Sequence, residues 1–162
     1  MNRTEQLQIR VTHKEKVALK RLARRAGQGV SAYVLSRALP ENQLRYAELL
    51  RALQDEGERR FALAELNDLL VDLTRSECRD SAGEPPDEAL SPYLRNYVAA
   101  MVEQAAQRKG ISPPAWVGDV EPLPEPHFAA PLPSLRPHLL RASPVPFRKR
   151  NIFVDSGLGD RV

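Results

Sequence analysis

Polar and apolar residues alternate strictly in a short segment near the start of the chain. Residues 6–11 follow a period of two, which is typical of a β-strand with one apolar and one polar face. The apolar positions are Leu7, Ile9 and Val11, and the polar positions are Gln6, Gln8 and Arg10. A lone strand leaves its backbone groups without hydrogen-bond partners, and no matching segment lies nearby in the sequence. We therefore expect the strand to pair with its copy in a second chain, as an antiparallel ribbon.

A first helix is predicted directly after this strand. Thr12 followed by Glu15 is a capping-box pattern, so the helix should begin at His13. Gly27 and Gly29 favour its end, because glycine readily adopts the backbone conformation that closes a helix. The apolar positions at helical spacing are Leu19, Leu22, Ala23 and Ala26.

A second helix should follow the two glycines. Ser31 is a favourable N-cap residue, and Pro40 marks the end of the helix. We expect the apolar faces of both helices to cover the apolar face of the ribbon, which gives one core shared by two chains. The predicted dimer-core residues are Leu7, Ile9, Val11, Leu19, Leu22, Val34 and Leu35.

The remaining chain divides by composition into segments of different character. After a head at residues 1–40, helical spacing of leucines predicts a helical extension over 41–77, as two helical stretches over 41–56 and 58–77 with a bend at Gly57. An acidic stretch at 78–90 has the composition of a linker. Ser91 and Pro92 should open one further helix over 91–110, which carries a single apolar stripe and closes at Gly110. Ten of the fourteen prolines fall in 111–162, which predicts an extended arm. The expected fold class is therefore mainly α, with one strand per chain that pairs across a homodimer.

Charge is distributed unevenly along the chain. Residues 1–40 carry a net charge of +7, whereas residues 41–90 carry −7 and residues 91–162 carry +3. A basic head indicates a nucleic acid as the partner, and an acidic middle indicates solvated helices or a basic partner. The small overall charge of +3 hides this separation.

The order of strand, basic helix, glycine turn and second helix resembles the ribbon-helix-helix superfamily, the Arc/MetJ type of repressor, over residues 4–39. The resemblance implies a homodimer that inserts its paired strands into the major groove of double-stranded DNA. Glutamine can make two hydrogen bonds to adenine and arginine two to guanine, so the polar row of the strand has the chemistry to read bases. The predicted base-reading residues are Gln6, Gln8 and Arg10.

Phosphate contacts are expected from both helices of this segment. The resemblance implies that the start of the second helix binds a backbone phosphate through its amides, as helix N-termini do. Many members have a Gly-x-Ser-x-Ser turn here, and in this chain Gly29 replaces the first serine. Cations of the first helix would attract DNA and add phosphate contacts. The predicted phosphate-binding residues are Lys14, Lys20, Arg24, Val30, Ser31 and Ala32.

Aromatic and basic residues are spaced along the proline-rich arm like anchors that dock onto a surface. The segment 143–154 begins with prolines, continues with three cations and ends in β-prone residues, so it could add a strand to a partner's open edge. Alternatively, the aromatic residues cover the chain's own helix at 91–109. The predicted partner-binding residues are Trp116, Phe128, Phe147, Arg148, Lys149, Arg150, Ile152 and Phe153.

These features predict a homodimeric, sequence-specific transcriptional repressor, with tetramers on tandem sites left open. Its ending is loosely similar to that of antitoxins, which implies that it neutralises a cognate toxin and regulates its own operon. Two alternatives remain open. The segment from Glu48 to Asn67 resembles the helical extension of relaxosome accessory proteins of plasmid mobilisation, which also carry ribbon-helix-helix heads. The basic head could instead belong to an adaptor that binds an acidic protein and not DNA.

Nothing in the sequence indicates catalysis, a cofactor or a metal site. The histidines His13, His127 and His138 are scattered, without carboxylates or cysteines at metal-ligand spacing. The single Cys78 excludes an intramolecular disulfide. No apolar run approaches membrane-spanning length, so we expect a cytoplasmic protein that does not enter a membrane.

Overall fold

The chain is mainly helical and divides into two compact units. Unit 1 is Met1–Glu41 and unit 2 is Asn42–Val162. Helices and a two-stranded parallel sheet make up the regular structure, which agrees with the predicted mainly α fold class. The computed structural model describes residues 8–25, 27, 29–38, 41–130 and 132–155.

Unit 1 contains the two predicted helices. Helix α1 spans His13–Arg25 and helix α2 spans Val30–Ala38, and the two pack against each other. Between them, Gly27 adopts a left-handed φ of +65°, which confirms that the glycines end α1. Ala23 of α1 is almost fully buried, because a small side chain lets a neighbouring element approach closely.

The start of α2 differs from the prediction that Ser31 is its cap. The Gly29 carbonyl accepts the first helical hydrogen bond, from the Tyr33 amide over 2.9 Å, so Gly29 holds the cap position. Glycine is acceptable there since its backbone is unrestricted. Ser31 lies in the first turn of the helix, one residue after Val30.

The predicted strand cannot be tested on one chain. Within the described residues, 8–12 belong to neither a helix nor a strand and pair with no other segment of the chain. Gln6 and Leu7 lie outside the described residues. The ribbon between two chains therefore stays a prediction.

Unit 2 begins with three helices, where the sequence predicts two and then a linker. A second capping box, between Thr74 and Glu77, starts a separate helix that continues into the predicted linker. Cys78, Ala82 and Leu90 are buried, so this acidic stretch is packed rather than a free connection. The three helices are α3 (Glu41–Ala52), α4 (Arg59–Asp72) and α5 (Arg75–Ser81).

Helix α6, Pro92–Lys109, forms the centre of unit 2. The Ser91 hydroxyl accepts a hydrogen bond from the Leu94 amide, and Gly110 closes the helix with a φ of +64°, which confirms both predicted ends. Residues 96–106 are all buried, including polar Asn96 and Glu103. The sequence predicts a single apolar stripe, but α4, α5 and the C-terminal elements together enclose the helix on all sides.

The proline-rich segment folds back onto α6 instead of extending away from it. Prolines stand in the first turns of its short helices, where a missing amide hydrogen costs nothing, so they start helices here. Strands β1 and β2 pair in parallel, with His127 opposite Ile152 and Phe128 opposite Phe153. The elements in chain order are α7 (Trp116–Asp119), β1 (His127–Phe128), a 3-10 turn (Pro133–Leu135), α8 (Arg136–Ala142), α9 (Val145–Arg148) and β2 (Ile152–Phe153).

No helix in the described part of the chain is both long and apolar enough to cross a lipid bilayer.

Candidate nucleic-acid interface

A reciprocal capping box fixes the first turn of α1. The Thr12 amide and hydroxyl donate hydrogen bonds to the Glu15 carboxylate over 2.7 and 2.8 Å, and the Glu15 amide donates back to the hydroxyl. The backbone hydrogen bond, followed by the hydroxyl bond, lowers the pKa of the Glu15 carboxyl. Glu15 is the only acidic residue of α1, so the later turns of this helix carry no acid of their own.

Cations cover the side of α1 that faces away from its apolar positions. They line a groove of about 460 Å³ whose residues recur at helical spacing. None of these cations has an ion pair within the described residues. The groove includes two of the predicted phosphate-binding side chains, Lys20 and Arg24, and Lys14 shares their face by periodicity. The residues that line the groove are Val17, Lys20, Arg21, Arg24 and Arg25.

The start of α2 presents backbone amides that have no acceptor among the described residues. Val30, Ser31 and Ala32 are exposed and occupy the first turn, before the first amide that finds an acceptor inside the helix. Such amides, together with the helix dipole, favour an anion such as a phosphate. The structure therefore places all three predicted residues where this chemistry is available.

Of the predicted base-reading residues, Gln8 and Arg10 are exposed. Gln6 lies outside the described residues. The two exposed side chains alternate with Ile9 and Val11, which are 60% and 44% exposed. Apolar side chains that recur on one face and stay exposed can mark a surface that another element or chain covers.

The other predicted dimer-core residues are incompletely covered in the single chain. Leu22 is 38% exposed, and Leu19 and Val34 are half-buried. Leu7 and the side chain of Leu35 lie outside the described residues. Unit 1 thus keeps apolar surface available on α1 and on the segment before it.

The predicted partner-binding aromatic residues mostly pack inside unit 2. Trp116, Phe147 and Phe153 are buried, and the Trp116 indole donates a hydrogen bond to the Ala82 carbonyl over 2.9 Å. Phe128 is half-buried and stacks on Phe153, with 4.9 Å between the ring centroids. The structure corresponds to the alternative in which these rings cover α6.

Two of the three cations at residues 148–150 also find partners within unit 2. Buried Arg150 pairs with the buried Glu103 carboxylate of α6 over 3.2 Å, and Lys149 pairs with the same carboxylate over 2.9 Å. Arg148 is exposed, whereas Ile152 is fully buried. No pattern in the sequence indicates the role of Glu103, because this acid and Arg150 lie 47 positions apart. Trp116, Phe147, Arg150, Ile152 and Phe153 are therefore not free to anchor a partner in this fold.

No group of three or more His, Cys, Asp or Glu side chains in the described ranges is arranged to hold a metal ion.

Comparison with protein families gives a match at the start of the chain. Residues 1–56 match the NikA-like family, described as mobilization protein NikA. The match spans unit 1 and all of α3, and it supports a DNA-binding ribbon-helix-helix head. No curated protein and no solved structure matches the chain. None of the comparisons supports an antitoxin.

Proposed function

We propose that this chain is a DNA-binding accessory protein of plasmid mobilisation, and not an antitoxin. The observation that carries the proposal is the match of residues 1–56 to a mobilisation family. This is the alternative that the segment from Glu48 to Asn67 raised in the sequence. The antitoxin interpretation rests on a free C-terminal arm, and most of its predicted anchors are buried in unit 2.

Unit 1 carries groups suited to the base edges of a DNA duplex and other groups suited to its phosphates. The side chains of Gln8 and Arg10 are exposed and suited to base edges, and the amides from Val30 to Ala32 suit a phosphate. The groove on α1 adds cations that form no ion pair within the described ranges, and such cations bind the DNA backbone regardless of sequence. Base contacts and phosphate contacts thus come from separate elements of one small unit.

In this proposal the functional species is a homodimer. Exposed Ile9 and Val11 alternate with polar residues, so pairing with a second copy would cover both apolar side chains and satisfy the backbone groups of the strand. The paired strands then enter the major groove at an origin of transfer. Unit 2 is the part of the chain available to contact a relaxase.

Arg10→Ala tests base reading. We expect it to reduce discrimination between the best duplex and unrelated duplexes by about 1–3 kcal/mol, because a bidentate contact to guanine is lost. The measurement is fluorescence anisotropy at two salt concentrations, with duplexes tiled across the non-coding DNA beside the chain's own gene. Lys16→Ala is the matched control, since Lys16 is an exposed cation of α1 outside the groove and should change all affinities alike. Equal weakening of all duplexes by Arg10→Ala would contradict base reading.

The mobilisation role itself predicts a relaxase gene beside the gene of this chain, and it is tested with that relaxase. Adding the purified chain should increase nicking of a supercoiled plasmid that carries the preferred duplex, and Arg10→Ala should remove this increase. A preferred duplex that overlaps only the promoter of the chain's own operon, with no effect on nicking, would support a repressor instead.

A further inference from the structure

Unit 2 contains a cleft at the start of α6. It has a volume of about 460 Å³, within the range of roughly 300–1,000 Å³ that is usual for small-ligand sites. The first two turns of α6 form one wall, with Pro92 and Arg95, and residues 119–124 form the other. Three prolines and Leu123 contribute apolar surface to the lining, beside polar and charged side chains.

Asn96 lies between these two walls and is only 2% exposed. Its Nδ2 donates hydrogen bonds to the Pro92 carbonyl on one wall and to the Glu121 carbonyl on the other, over 3.0 and 2.9 Å. The Oδ1 of the same amide has no hydrogen-bond partner within the described residues, although it is buried. A buried acceptor without a partner is costly, so this position favours a donor from a ligand.

Three further groups of the cleft also lack partners. The Arg95 Nε is a buried donor that finds no acceptor in the part of the chain that the structure describes. The carboxylates of Asp119 and Glu121 are exposed and form no ion pair among the described residues. The cleft thus combines a buried acceptor and a buried donor that lack partners among those residues with two exposed carboxylates and the apolar surface of the prolines and Leu123.

We propose that this cleft binds a short extended peptide segment that carries an arginine or lysine side chain, presented by a partner protein. Both atoms are buried in the free chain, so the two walls must separate slightly on binding before a peptide N–H can reach Asn96 Oδ1 and a peptide carbonyl can reach Arg95 Nε. The basic side chain pairs with Asp119 and Glu121, and its aliphatic part packs on the prolines of the walls.

The probe is the blocked tripeptide acetyl-Gly-Arg-Gly-amide, compared with the citrulline analogue, which has nearly the same shape and no charge. Binding to the full isotope-labelled chain is followed by NMR titration. We expect saturable shifts confined to the first turns of α6 and to residues 119–124. The citrulline peptide should bind at least about tenfold more weakly, because it cannot pair with the carboxylates.

The double variant Asp119→Asn/Glu121→Gln should weaken the arginine peptide by about tenfold and leave the citrulline peptide unchanged. Glu125→Gln is the matched control, since this exposed carboxylate lies beside the cleft but does not line it. These surface variants keep Asn96 and its hydrogen bonds, and the melting curve reports whether unit 2 remains folded.

Equal affinity for the two peptides, absence of saturable binding, or shifts elsewhere in the chain would overturn the proposal. Preferential binding of a phosphate-bearing ligand in the cleft would overturn it as well. The inference goes beyond the proposed function and is independent of it, because the cleft lies wholly in unit 2. DNA binding by unit 1 should be unchanged in the double variant, so failure of one proposal is distinguishable from failure of the other.

Discussion

At the scale of single residues, Glu103 is the polar centre of unit 2. Its buried carboxylate receives Arg150 and Lys149, and Gln107 donates a further hydrogen bond over 3.3 Å. Arg150 also donates to the carbonyls of Val117 and Val120. The guanidinium of Arg150 therefore holds the segment between α9 and β2 against both α6 and the residues around α7.

Arg150→Ala should destabilise unit 2 by about 3–5 kcal/mol, because it leaves the Glu103 carboxylate buried with weaker compensation. The measurement is urea unfolding followed by the fluorescence of Trp116. Lys149→Ala is the matched comparison: its side chain is 59% exposed, so we expect a loss of less than about 1 kcal/mol. If both variants lost the same free energy of unfolding, the buried Arg150–Glu103 ion pair would not be the main contribution of these cations to the stability of unit 2.

The sequence shows that residues 148–150 are cations, but it does not show that Lys149 and Arg150 pair with Glu103. Periodicity and caps relate residues a few positions apart, whereas Glu103 and Arg150 meet only after the chain has folded back over 47 positions. The same limit applies to Asn96, whose second acceptor lies 25 positions away. The predicted side chains of the nucleic-acid interface lie close together in the sequence, so periodicity alone could group them, and their contact with DNA stays a prediction.

At the scale of elements, local capping chemistry determines where the helices begin. The prediction that α1 begins at His13 and α6 after Ser91 is confirmed. Each helix begins at a capping residue whose side chain bonds an amide three residues later. Helix α5 carries the same signature at Thr74 and Glu77, but the leucine spacing across residues 58–77 indicated one continuous helix. Local hydrogen bonds prevailed over periodicity there, and they separated α4 from α5.

The capping box of α5 should make stability depend on pH. Hydrogen bonds from the Thr74 hydroxyl and then its amide lower the Glu77 pKa below its ordinary value of 4.5. A lowered pKa means that the contribution is fully present above pH 4.5 and is lost as the pH falls through the lower folded value. Unfolding of unit 2 in urea, measured from pH 7 to pH 3, should therefore show less acid dependence in Glu77→Gln.

Asp80→Asn is the control for this experiment, because Asp80 is an exposed carboxylate of the same helix outside the capping box. If Asp80→Asn reduced the pH dependence of stability as much as Glu77→Gln did, the capping box would not be the source of that dependence.

At the scale of the whole molecule, the two units should differ in what stabilises them. Unit 2 has a continuous buried core of its own, from Tyr46 to Val154. Unit 1 has one buried apolar side chain among those described, Ala23, and exposes Ile9 and Val11. Composition could separate the basic head from the rest, but it could not show that the proline-rich segment closes the core of unit 2.

Dilution should therefore affect the two units differently. Helical signal from unit 1 should melt at lower temperature as the protein is diluted, because dimer stability depends on concentration. The fluorescence transition of Trp116, the only tryptophan, should not move with dilution.

Ile9→Lys should remove the helical signal of unit 1 and leave the fluorescence transition unchanged. Gln8→Lys places the same charge on the polar side of the strand, so it should leave both signals unchanged. A folded, dimeric Ile9→Lys protein would contradict the ribbon.

The single thiol of the chain has a practical consequence. Cys78 is 2% exposed, and burial raises its pKa, so little of the reactive thiolate is accessible at neutral pH. A second cysteine introduced on the exposed face of α1 would react with a maleimide dye or a spin label far faster than Cys78. Unit 1 can therefore be tagged selectively in the otherwise unaltered protein, which opens distance measurements between the two heads of a dimer.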